Sequence, residues 1–115
     1  MSNKSNIPAE EGFARAKLKM KERLKAESDF KAGMLSSLKQ NIPCHDIWVW
    51  FGETKYTVSY VFPTDANLNE SENSFQKDIE CIAKKIAHNK DVVIEYHSHE
   101  YVLKKHNGNY DNYFR

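Results

Sequence analysis

The chain has 115 residues, of which 40% are apolar, 12% aromatic and 29% charged, and its net charge is +1. That length holds one hydrophobic core, and the composition lies well away from the weakly apolar, highly charged range in which chains stay disordered. No run approaches the ~18 consecutive apolar residues of a membrane span, and the N-terminus lacks the apolar segment of a secretory signal, so a cytoplasmic location and no membrane partner are expected.

The small net charge conceals an asymmetry. Residues 1–43 carry nine Lys/Arg and five Asp/Glu, a balance of +4, whereas the remaining eight bases and eleven acids give −3. A basic segment on an acidic body suits a polyanion at one end and a basic protein at the other. Cys44 and Cys81 stand apart, without the dense cysteine framework of a small secreted domain, and are read as reduced thiols, Cys81 on the apolar side of a helix.

Residues 1–7 are polar and predict a flexible N-terminus ahead of a single domain at 8–115. Pro8, followed by Glu10 and Glu11, marks a helix start, since proline lacks the N–H that the first turn leaves unpaired and acids favour the positive end of the helix dipole. The helix is predicted to run to about Gln40, where Asn41-Ile42-Pro43 stops it, with Gly33 as a point where it bends or divides. Its apolar stripe is thin: Phe13, Met20, Leu24, Leu35 and Leu38 share one sector, interrupted by Ser28 and Lys31. Arg15, Lys19 and Arg23 form a row on one side of the stripe, Lys17, Lys21 and Lys25 a row on the other. With local acids offsetting part of that charge, the helix reads as a cover laid across a sheet or as half of a partner interface.

The run 47–51 predicts a strand with Trp48 and Trp50 on one face and Val49 and Phe51 on the other, and 56–62 alternates as a second strand across a turn at Gly52-Glu53-Thr54-Lys55. Pro63-Thr64-Asp65 ends that strand. The polar stretch 67–74 then supplies caps for an amphipathic helix whose apolar positions are Phe75, Ile79, Ile82, Ala83 and Ile86. Residues 91–97 predict another strand, 99–105 extend it or add one, and Asn107-Gly108 suits a tight turn into a last strand at 110–114. The predicted fold is α+β in the order α-β-β-α-β-β: a small, mostly antiparallel sheet of four to five strands, a long N-terminal helix and a second amphipathic helix.

On a continuous strand, Glu95, His97 and His99 would share one face, a His-x-His plus carboxylate set of the kind that binds a divalent transition metal. The residues that accompany this pattern in metal hydrolases and cupins are missing, so no metal and no cofactor are expected, and these three remain the weak candidates. With His106, the same histidines would serve a metal-free acid–base hydrolase if they met in space. There is no Gly-rich phosphate loop, and the chain neighbours Cys44 and His45 are poorly placed for a thiolate–imidazolium pair. No catalytic residue, and hence no enzyme, is expected.

Both faces of the 47–51 strand are apolar, so one needs a cover: the N-terminal helix, a partner or a second copy. Exposed aromatics ringed by acids have the character of a protein-binding hot spot. The expected partner-binding residues are Asp46, Trp48, Trp50, Glu53, Asp65, Glu70 and Glu72, and the expected partner is another protein, a basic toxin or nuclease. In type, a small α+β domain with an acidic, aromatic-rich body and no catalytic signature is similar to the immunity proteins that neutralise bacterial polymorphic toxins, a likeness resting on no motif. The alternative is a nucleic-acid-binding or regulatory protein acting through Arg15, Lys19 and Arg23, and a third reading is a hydrolase using His97 and His99.

Overall fold

The computed structural model describes residues 9–88 and 90–115, which form α1 (Ala9–Ser37), β1 (Asp46–Phe51), β2 (Lys55–Phe62), α2 (Asp65–Ser74), α3 (Gln76–Ala87), β3 (Asp91–Ser98), α4 (His99–His106) and α5 (Tyr110–Tyr113). The polar tail at 1–7 and the helix start at Pro8 lie outside the described residues.

The sheet has three described strands in the order β1-β2-β3 and is mixed, which corrects the expected four to five mostly antiparallel strands. β1 and β2 form the expected hairpin, pairing from Asp46↔Val61 to Phe51↔Tyr56. Its turn needs Gly52, because a β-carbon there would stand 2.9 Å from the Lys55 carbonyl oxygen. β2 and β3 run parallel, from Lys55↔Asp91 to Phe62↔Ser98. A parallel neighbour requires a crossover of about a dozen residues or more, and α2 and α3 supply it.

α2 occupies the polar stretch that read as a cap-rich connection. Thr64 caps it, its hydroxyl accepting from Asn67 N at 3.1 Å, and the Ser71 hydroxyl, buried, donates to the Leu68 carbonyl at 2.6 Å. The two strands expected beyond Ser98 are helices as well. Ser98 caps α4, Glu100 and Lys104 pair one turn apart at 3.2 Å, and Asn107 ends the helix at φ 52° with Gly108 following at φ 78°. Asn-Gly thus serves as a helix stop, since left-handed backbone is required at helix C-termini as much as in hairpin turns. Asn109 caps α5 through Asn112 N.

Period-two alternation sorts the sheet into two unlike faces. Ile47, Val49 and Phe51 align with Tyr60, Val58 and Tyr56, and these with Tyr96, Ile94 and Val92 on β3. They pack beneath Phe30 and Met34 of α1 and Ile79 and Ala83 of α3 in one core. Cys81 points away from that core and is exposed, contrary to its expected apolar position, because Ile79, Ala83 and Ile86 take the inward sector.

α1 stays continuous through Gly33. That glycine lies against α3, where a β-carbon would meet Ile86 Cδ1 at 3.4 Å, so its smallness serves helix contact rather than a break. The helix closes at Ser37, short of Gln40. Phe30 and Met34, 5% and 0% exposed, anchor it, at about 1.5–3 kcal/mol for each fully buried side chain. Residues 13–26 project past the sheet and are exposed throughout, so only the later part of the helix, around Phe30 and Met34, covers the sheet as its pattern suggested. The projection sets the dimensions: the radius of gyration is 18.3 Å and the extents are 67 × 34 × 20 Å, against a radius of about 13 Å for a compact chain of this length.

Candidate partner-binding surfaces

The projecting half of α1 is fixed at its base by two polar contacts. Glu27 accepts from Phe51 N at 2.7 Å, closing an N–H on the outer edge of β1, and Lys31 pairs with Asp46 at 2.8 Å. Beyond them Phe13, Met20 and Leu24 lie in one sector, 69%, 55% and 54% exposed, between the two rows of bases; Leu18, on another side, is 57% exposed. Residues 13–26 hold six bases, Arg15, Lys17, Lys19, Lys21, Arg23 and Lys25, and one acid, Glu22. This is a basic helix with an apolar edge standing clear of the body.

The second surface is the open sheet face, carrying Trp48 and Trp50, Thr57, Ser59 and Val61, and Val93, Glu95 and His97. It is covered not by α1 but by the chain's own C-terminal segment. Phe114 packs edge-on to Trp48, Trp50 and His97 at centroid distances of 5.9, 5.7 and 5.3 Å, and Tyr110 stacks on Trp48 at 5.9 Å. Trp50 keeps 43% exposure at the margin. The sequence signal for this latch was the aromatic run at 110–114, read instead as a strand.

The histidines do gather around that segment, though not as a strand face. His97 Nδ1 lies 2.7 Å from the Tyr113 hydroxyl, His106 packs against the Tyr113 ring at 5.3 Å, and His99 Nδ1 meets the Tyr110 hydroxyl. Because β3 ends at Ser98, His99 opens α4 and turns onto His45, ring over ring at 3.6 Å, so Glu95, His97 and His99 do not line one face. Glu95 and His97 alone remain together, with carboxylate oxygen to Nε2 at 3.6 Å. Among the described residues no group of three or more His, Cys, Asp or Glu side chains is placed to hold a metal ion.

Chemically, Glu95, His97 and Tyr113 form a carboxylate–imidazole–phenol line. Burial holds the His97 imidazole below its ordinary value despite the opposing pull of Glu95, and raises the Tyr113 phenol. Both shifts favour the neutral forms that suit a packed latch over a phenolate nucleophile. The ring nitrogens of Trp48 (Nε1) and His97 (Nε2) are buried without a hydrogen-bond partner among the described residues.

The expected partner-binding acids do not assemble into one patch. Asp46 is committed to Lys31 and to Ile47 N, and Asp65 accepts from the Ser98 hydroxyl at 2.6 Å while its N–H donates to Glu100. Glu53 sits in the hairpin turn, and Glu70 and Glu72 are exposed on α2. Trp48 is half-buried under the latch, which leaves Trp50 as the accessible member of the pair. No helix among the described residues is long and apolar enough to cross a membrane. Compared with known proteins, the chain matches no family model, no curated protein and no solved structure.

Proposed function

We propose that this is a small, non-catalytic partner-binding protein that presents the outer half of α1 to a groove on another protein. The observation that carries the reading is the exposure of Phe13, Met20 and Leu24 on a helix segment that holds six bases against one acid. An isolated helix as short as the 13–26 segment is marginal in water, and an amphipathic helix is recognised by laying its apolar edge in a hydrophobic groove. The flanking bases call for a groove with an acidic rim. They also disfavour pairing between two copies, which would bring twelve bases together with two acids.

Inhibition by occupancy, as in the immunity proteins that the chain resembles in type, is one use of such an arm. The committed state of Asp46 and Asp65 then favours an acid-rimmed target over a basic toxin. Photo-crosslinking from position 20 in cell extract tests this: partner capture is expected to disappear with Leu24→Glu and to survive Glu70→Lys/Glu72→Lys. Capture that survives Phe13→Glu and Leu24→Glu but is lost on reversing the α2 acids would return the reading to a basic partner bound by the body.

A further inference from the structure

Away from the arm, three of the eight bases of residues 44–115 are concentrated at one place on an otherwise acidic body. Lys55, at the start of β2, Lys84, in the last turn of α3, and Lys90, before β3, line a concavity of about 580 Å³ together with His88 and Asp91. His88 ends α3 there with a positive φ of 57°. Among the described residues none of the three lysines takes part in an ion pair, so their charge is uncommitted.

A second concavity of about 450 Å³ adjoins the first, with Arg23, Trp50 and Thr57 in its wall, and the two share Thr54 and Lys55. Together they make a groove around the β1–β2 turn, from Arg23 to Lys84 and Lys90. Its acids are Asp91 and Glu27, and Glu27 is already engaged with Phe51 N. Trp50 is held rigidly, its ring nearly parallel to Trp48 at 16° and edge-on to Phe114, yet 43% exposed. It pairs with Thr57, two residues and about 7 Å along β2 from Lys55.

We infer that this groove binds single-stranded nucleic acid, its phosphates on Arg23, Lys55, Lys84 and Lys90 and an unpaired base stacked on Trp50. Cations spaced along a groove follow a phosphodiester backbone, and an exposed, immobilised aromatic ring adds stacking that any base satisfies. A duplex hides its base faces and leaves Trp50 unused. The inference goes beyond the helix-presenting role: the groove shares only Arg23 and Leu24 with the arm, and Phe13 and Met20 lie outside it.

Fluorescence anisotropy of a labelled twelve-nucleotide oligo(dT), set against a blunt duplex of equal length and inorganic polyphosphate, tests it. Four phosphate contacts on a single strand predict about 50-fold weaker binding on going from 50 to 200 mM salt. Trp50→Ala should weaken binding about 5- to 150-fold, and Lys84→Gln/Lys90→Gln should weaken it and reduce the slope of log affinity against log salt to about half. Trp50→Phe, which keeps a stacking ring, should rescue most of the loss and guard against misfolding of the alanine variant, whereas Phe13→Glu should leave binding intact. No binding at 20 mM salt, equal affinity for duplex or polyphosphate, or indifference to Trp50→Ala in a protein with native circular dichroism would each overturn the assignment.

Discussion

Truncating Phe114 to alanine removes the side chain that closes the C-terminal segment over the open sheet face. Its ring meets Trp48, Trp50, His97 and Tyr113 at centroid distances of 5.9, 5.7, 5.3 and 5.2 Å. A Phe→Ala change at full burial costs about 3–5 kcal/mol, and each aromatic pair adds about 0.5–1.5 kcal/mol beyond area. Phe114 is half-buried at the edge of the fold, where neighbours can close in, so about 2 kcal/mol is the expected loss. With a urea slope of about 1.5 kcal/mol per molar, the unfolding midpoint falls by about 1.3 M. Trp48 and Trp50 are the two tryptophans of the chain and both touch Phe114, so intrinsic emission reads the change directly and should shift to the red in the folded variant. An unchanged midpoint together with unchanged emission would mean that the segment does not close the face.

Gly33→Ala fits against Ile86 at ordinary contact distance and removes a mid-helix glycine, so it should stabilise by about 0.5–1 kcal/mol and raise the melting temperature by about 3–5 °C; a fall would show the α1–α3 approach to be tighter than 3.4 Å allows. Ser98→Ala loses the α4 cap and the hydroxyl bond to Asp65, and should cost about 1–2 kcal/mol in urea unfolding, most of it recovered by Thr. His97 and His99 are both held below the ordinary imidazole value, His97 by burial and His99 by burial and the stacked His45. The unfolded chain therefore takes up protons first: their contribution to stability is full above about pH 6.5, declines as pH falls through that value and levels off once the folded histidines protonate too. Urea midpoints at pH 7.5 and 5.5 should differ accordingly, less so in His97→Gln, and a flat profile would refute the neutral assignment.

What could be read from the sequence was what a single periodicity decides. The β1–β2 hairpin, α3 and β3 follow from alternation or a clean apolar sector, and all are present. The elements that went astray are those whose local signal is shared between two structures. Asn107-Gly108 offers positive φ, which a hairpin turn and a helix stop use equally, and the choice falls to Ser98, whose cap commits the following residues to α4. α2 has almost no apolar sector, and its helix is fixed by Thr64, Ser71 and the Asp65 bonds to Ser98 and Glu100, partners that lie about 35 residues away. The parallel β2–β3 pairing was open for a like reason, since the helix predicted between the two strands suits a parallel crossover and an antiparallel return equally. At the surfaces, the bases and the two tryptophans were visible; that the tail would cover Trp48 and leave Trp50 open was not, because it depends on α5 being a helix.

The projecting arm could pass for a terminal helix left over by a small domain, but its attachment argues otherwise. A helix held by Phe30 and Met34 alone could pivot about its buried end. Glu27 removes that freedom by fastening α1 to the outer edge of β1, and Lys31 adds a second tie to Asp46 at the start of the same strand. The Glu27 contact also closes one of the open N–H groups that make an edge strand prone to pairing with other chains. A helix ordered in this way before binding spares the entropy of ordering it on contact with a partner. Arg23 stands one turn beyond Glu27, so the same tether holds the base of the apolar edge and places Arg23 with Trp50 in one concavity. One half-buried carboxylate, set among Met20, Arg23, Leu24 and Phe30 on its helix face, thereby bears on the geometry of both surfaces.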